Sequence, residues 1–130
     1  MDKRIDSDLS REFLLDSIEE IVPILKAIGN PTRFKILILL LNGPSNFQML
    51  LDETNLKKSA LANHLNTLIK SGLLEKIQHG TYCLTEDGKK YVETIGKTFK
   101  TSQMIQEEMK ISEQRKSLSL TFLERKKRKN

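Results

Sequence analysis

The chain has 130 residues, 38% hydrophobic and 30% charged, which suits one small domain with extensions around a modest core. Its 22 cations against 17 acids leave +5, but residues 124–130 hold five of those cations (Arg125, Lys126, Lys127, Arg128, Lys129) against Glu124 alone, so most of the excess sits at one end. The longest aliphatic run, Ile36 to Leu41, is too short to cross a bilayer, and Met1 to Asp6 lacks the apolar stretch of a signal peptide. With a single Cys83 and therefore no internal disulfide, the expected setting is the cytoplasm, with no membrane partner.

Residues 1–8 are charged and read as a flexible N-terminus. From Leu9, the apolar positions Phe13, Leu14, Ile18, Ile21, Val22, Leu25 and Ile28 follow at helical spacing until Gly29. Pro23 interrupts that stripe and either kinks one helix or opens a second. Asn30-Pro31 then has the order of a helix start, a capping residue before proline. Residues 31–42 are apolar nearly all round, which predicts a central buried rod stopped by Asn42-Gly43-Pro44.

Ser45 with Gln48 three residues on matches a capping box for a short helix whose inner face is Phe47, Leu50 and Leu51. Thr54-Asn55 makes a turn with Leu56 beneath it, and a second helix follows to Gly72. Two short helices across so brief a turn form a helix-turn-helix. Beyond Gly72, the runs 73–78 and 81–85 flank His79-Gly80, the pattern of a tight two-residue hairpin. Thr85 then caps a helix with Glu86 and Asp87 in its first turn, carrying Tyr91, Val92, Ile95, Phe99, Ile105 and Met109 with a gap near Ser102. A last segment with Ile111, Leu118, Phe122 and Leu123 precedes the basic tail.

The second helix of the pair carries the chemistry. Leu61, Leu65, Leu68 and Ile69 recur at three- and four-residue steps and point inward. Outward stand Lys58, Ser59, Asn63, His64, Asn66, Thr67 and Lys70, with Lys57 ahead of them and no carboxylate in the stretch. Residues 57–80 hold four lysines against Glu75, whereas residues 1–28 hold seven acids against four cations. That distribution marks one face for a polyanion and predicts a DNA recognition helix. Asn63 suits a two-bond contact to adenine, Ser59 and Thr67 a base edge or a phosphate, and Lys57, Lys58 and Lys70 phosphates. The hairpin, with Lys76, Gln78 and His79, lacks the arginine that reads a minor groove, so it either touches the DNA backbone or merely covers the core.

The element order is that of a winged helix-turn-helix, mainly α with a small β-hairpin wing. Ala27 to Leu37 (AIGNPTRFKIL), Ser59 to Leu68 (SALANHLNTL) and Ser71-Gly72-Leu73-Leu74-Glu75 resemble the hallmarks of the ArsR-like regulators, over about residues 21–95. The resemblance implies a transcriptional regulator and a homodimer built from long N- and C-terminal helices, with double-stranded DNA as partner. Domain bounds follow as 9–95 for the DNA-binding domain, 96–123 for a C-terminal dimerisation segment and 124–130 for the tail. The family usually has Ser or Thr where Lys57 caps and often Arg where Asn63 stands. Its metal-sensing members carry paired cysteines where this chain has Gln48, Met49, Leu50 and Leu51, so no metal is expected and no effector is implied.

Neither histidine has a neighbouring ligand in sequence, so His64 and His79 read as ordinary side chains rather than as metal ligands or pH switches, and no cofactor motif or catalytic constellation is present. Cys83 reads as packing on the hairpin rather than as a redox switch. Two alternatives share this fold: a protein–protein assembly module, and a low-specificity architectural DNA binder driven by its tail. The tail itself is either a sequence-blind DNA contact or a solvated end.

Overall fold

The computed structural model describes residues 10–129, with side chains to Lys126. The predicted flexible N-terminus, 1–8, lies outside the described residues. Helix α1 (Arg11–Asp16) starts at Ser10, whose hydroxyl accepts the Phe13 N–H at 3.4 Å. The break falls at Ser17, not at Pro23. Ser17 leaves helical geometry at φ −105°, ψ 6° while donating its N–H to Leu14, and α2 (Ile18–Ile28) then continues past the proline as one helix. Pro23 and Glu19 are both exposed, so water can serve the carbonyl that the missing N–H leaves free.

Helix α3 (Pro31–Leu39) begins as its sequence demands: Asn30 Oδ1 accepts the Arg33 N–H at 3.0 Å and Pro31 takes the first position. It is not buried all round. Ile36, Leu37 and Leu40 are core, but Ile38 is 45% and Leu41 36% exposed, because this small domain covers only one side of the helix.

Ser45–Asn46 form a two-residue strand, β1, which moves the next helix start by one residue. Ser45 pairs with Tyr82, so the predicted Ser45–Gln48 capping box does not form. Asn46 Oδ1 instead accepts the Met49 N–H at 2.8 Å and opens α4 (Phe47–Thr54), while Gln48 donates to Asp52 at 2.8 Å. Asn55, in left-handed geometry at φ 55°, ends α4 and turns the chain into α5 (Lys58–Lys70).

Gly72, at φ +75°, closes α5 as a Schellman motif. Its N–H bonds to Ile69 O and the Leu73 N–H to Leu68 O, both at 3.0 Å, with Leu68 and Leu73 fully buried. Strands β2 (Leu74–Ile77) and β3 (Thr81–Leu84) pair antiparallel, and the sheet order is β1-β3-β2. Ile77 opposes Thr81, so the hairpin turn holds three residues rather than two. Gln78 joins His79 (φ 62°) and Gly80 (φ +68°), because the return needs both in the left-handed region.

Thr85 opens α6 (Glu86–Lys129): its hydroxyl accepts the Gly88 N–H at 3.0 Å and donates to Gly72 O at 2.6 Å. The helix shows no interruption near Ser102 and no separate last segment. The molecule divides into two compact units, Met1–Val92 and Glu93–Asn130. The core of the first is Ala27, Ile28, Ile36, Leu37, Leu40, Leu50, Leu61, Leu65, Leu68, Leu73, Leu74, Tyr82 and Val92. In the second, every side chain from Glu93 to Lys126 is exposed except the half-buried Ile95. Among the described residues, no helix is long and apolar enough to cross a membrane.

Candidate nucleic-acid interface

Helix α5 is held by its leucines. Leu61, Leu65 and Leu68 are buried against α3, α4 and β2, and Ile69 is half-buried beside them. Each such burial stabilises by about 1.5–3 kcal/mol, which fixes the rotation of the helix about its axis. The opposite side presents Lys58, Ser59, Asn63, Asn66 and Lys70, all exposed. Ser59 with Asn63, Asn63 with Asn66, and Asn66 with Lys70 stand three or four residues apart and form one continuous strip.

Lys57 is the N-cap, exposed and without a side-chain bond into the helix, so the first-turn N–H groups of α5 lack a side-chain acceptor. Thr67 is half-buried and its hydroxyl donates to Asn63 O at 3.0 Å, leaving only lone pairs to offer a ligand. His64 is half-buried as well. Its Nδ1 lies 3.4 Å from Nη1 of Arg33, so one edge of the ring faces α3. Burial, and then the Arg33 charge, hold His64 below its ordinary value of 6.5, in the neutral form near neutral pH.

On the hairpin, Lys76, Gln78 and His79 are all exposed. Lys76 Nζ sits 5.8 Å from the centre of the Tyr82 ring, which steadies the stem while leaving the ammonium at the surface. Cys83 faces Glu75 across the strand pair and its thiol donates to Oε1 at 3.6 Å. Burial first, and the carboxylate second, raise that thiol above its usual range, so it stays protonated. In the tail, Arg125 and Lys126 are exposed, and Lys126 Nζ lies 5.6 Å from the Phe122 ring centre. The side chains of Lys127, Arg128 and Lys129 lie outside the described residues.

Sequence reasoning missed Arg33 as a contributor to the site. The signal that could have found it was its isolation: no other arginine stands between Arg11 and Arg115. Among the described residues, no group of three or more His, Cys, Asp and Glu is placed to hold a metal.

Residues 30–76 match a protein family described as bacterial regulatory protein, arsR family. An HTH-type transcriptional regulator of Methanocaldococcus jannaschii is 35% identical over 69 residues, covering 52% of this chain and 78% of that protein. Among solved structures, the transcriptional regulator HlyU from Vibrio vulnificus is 26% identical with a TM-score of 0.58, covering 68% of this chain and 96% of its own. The homodimeric winged helix-turn-helix DNA-binding domain of a Mycobacterium bovis protein shares the fold at 20% identity and a TM-score of 0.63, covering 68% and 86% respectively.

Proposed function

The chain belongs to the arsR family of bacterial regulatory proteins, and from that premise we propose that it regulates transcription by laying α5, as recognition helix, into the major groove of an operator. The observation that carries this reading is the outer strip of α5: exposed amides, a hydroxyl and lysines, free of carboxylates and anchored from behind by three buried leucines. In this arrangement Asn63 reads a base, Ser59 and Asn66 serve base edges or phosphates, and Thr67, whose hydroxyl proton is held by Asn63 O, accepts from a donor on a base edge. Lys57, Lys58 and Lys70 contact phosphates, as do Lys76, Gln78 and His79 from the wing. His64 supports the strip from its inner margin.

Operator selection from a random pool of duplexes, followed by substitution, tests the assignment. Asn63→Ala is expected to weaken binding to the selected duplex by about 1–3 kcal/mol, the worth of one bidentate base contact, and to leave random duplex nearly untouched. Equal losses on both would remove base readout from that position. An architectural binder would hold random duplex tightly with a steep loss in salt, and an assembly module would not hold it at all.

The regulator acts as a homodimer through its terminal helices. Helices α1 and α2 expose Phe13, Leu14, Leu15, Ile18 and Leu25, the last at 57%. Within the second unit α6 exposes Phe99, Met104, Ile105 and Met109, among others. A soluble chain seldom leaves so many large apolar side chains uncovered without a partner surface. A second copy sets two α5 helices about one helical turn of DNA apart. Light scattering at micromolar concentration is expected to give twice the 15.0 kDa chain mass; a monomer would contradict the pairing.

A further inference from the structure

Arg33 lies on α3, away from the outer strip, yet its guanidinium reaches α5. Nε donates to Ala27 O at 2.8 Å and Nη2 to Lys26 O at 3.1 Å, while Nη1 stands 3.4 Å from His64 Nδ1. Lys26 and Ala27 belong to the last turn of α2, so one planar group joins three helices. Its donors form a rigid fork, which fixes their mutual spacing in a way that a flexible ammonium would not. The link to His64 also has a polarity. Arginine offers no lone pair, so Nδ1 must accept and the ring proton must sit on Nε2.

The other charges on the elements packed against α5 are engaged elsewhere or exposed. Lys35 donates to the carbonyl of Glu53 at 3.4 Å, and the Glu53 carboxylate is exposed. Asp52 accepts from Gln48, Glu75 from the Cys83 thiol, and Lys76 lies against Tyr82. Arg33 is the charge that acts on the ring.

We propose that Arg33 is the positioning residue of the recognition helix, holding α5 in its DNA-binding pose through neutral His64 and releasing it when that ring gains a proton. The inference rests on α5 being the recognition helix. Its sign runs opposite to that of an ordinary histidine beside DNA, whose protonation adds a cation and tightens binding to phosphates. Here the favourable contact is present above pH 6.5 and is lost as the pH falls through the depressed value of the ring.

The test follows affinity for a selected operator and for random duplex between about pH 8 and 5, the range over which histidine changes charge. His79, the other of the two histidines in the chain, is replaced by Gln throughout, so that a single ring titrates. In that background operator affinity is expected to fall about tenfold or more in acid, the worth of one charge-assisted hydrogen bond, while random-duplex affinity does not fall. Adding His64→Asn, which keeps an acceptor near Nδ1 but does not titrate, flattens the profile. Adding His64→Phe, which has no acceptor, or Arg33→Lys weakens operator binding already at neutral pH.

Thermal melts run alongside each variant. A rise of operator affinity in acid, an equal fall with His64→Asn, or losses that merely track unfolding would overturn the proposal. A chain that selects no duplex at neutral pH would sink the recognition-helix reading first, and this inference with it.

Discussion

Leu68→Ala is expected to lower the unfolding free energy by about 2–5 kcal/mol, the range for removing a buried leucine side chain. Leu68 is fully buried on the inner side of α5, in line with Leu61 and Leu65. It is also the residue whose carbonyl receives the Leu73 N–H at 3.0 Å, so it joins the end of α5 to the start of β2. Truncation leaves a cavity at that junction, and the backbone bond bracing it on the far side resists collapse into the space. Urea or thermal unfolding measures the loss. Asn66→Ala, two positions away on the exposed side, serves as the comparison and is expected to shift stability by no more than about 0.5 kcal/mol. Similar effects for the two would mean that α5 is rotated from the orientation described.

The second large effect is expected at Gly88. A Cβ there would stand 2.1 Å from the carbonyl oxygen of Leu73 and 3.0 Å from its carbonyl carbon. Leu73 cannot move aside: its N–H is bonded to Leu68 O and its carbonyl accepts the Thr85 N–H at 3.1 Å. Gly88→Ala therefore separates the first turn of α6 from the α5–β2 corner and breaks the Thr85 cap. Its cost is expected at or above the upper end of the roughly 1–3 kcal/mol typical of overpacking. A Cβ added at Gly96, on the same helix, would meet nothing within 4 Å, and Gly96→Ala is expected to stabilise by up to about 1 kcal/mol through helix propensity. Opposite signs at the two glycines in a thermal melt would establish that close approach, and not helical preference, dictates glycine at 88.

The features readable in the sequence are those set by near neighbours along the chain. The inward leucines of α5, the glycine ending at Gly72 and the Thr85 cap each depend on residues within a turn or two, and each stands where its spacing predicts. The misses come from partners distant in sequence. Two residues are too few to show alternation, so β1 is visible only through its pairing with Tyr82 and Thr81, and that pairing moves the α4 cap from Ser45 to Asn46. Apolar composition overstated the burial of α3, because composition records what a helix carries and not how much protein surrounds it. Polar residues near Ser102 looked like a gap in α6, yet a helix exposed on its sides needs no apolar period to continue.

The candidate site divides along the same line. Asn63 and its neighbours were legible because helical spacing alone brings them to one surface. The bond between His64 and Arg33 spans 31 positions and arises only when α3 packs against α5.

The hydrogen-bonded sulfur on the hairpin carries a chemical consequence of its own. Peroxides and alkylating agents react with the sulfur anion, and beside Glu75 that anion would form against like charge. An alkylating reagent is therefore expected to label the Cys83 sulfhydryl more slowly in the folded chain than in the unfolded one, where Glu75 no longer faces it.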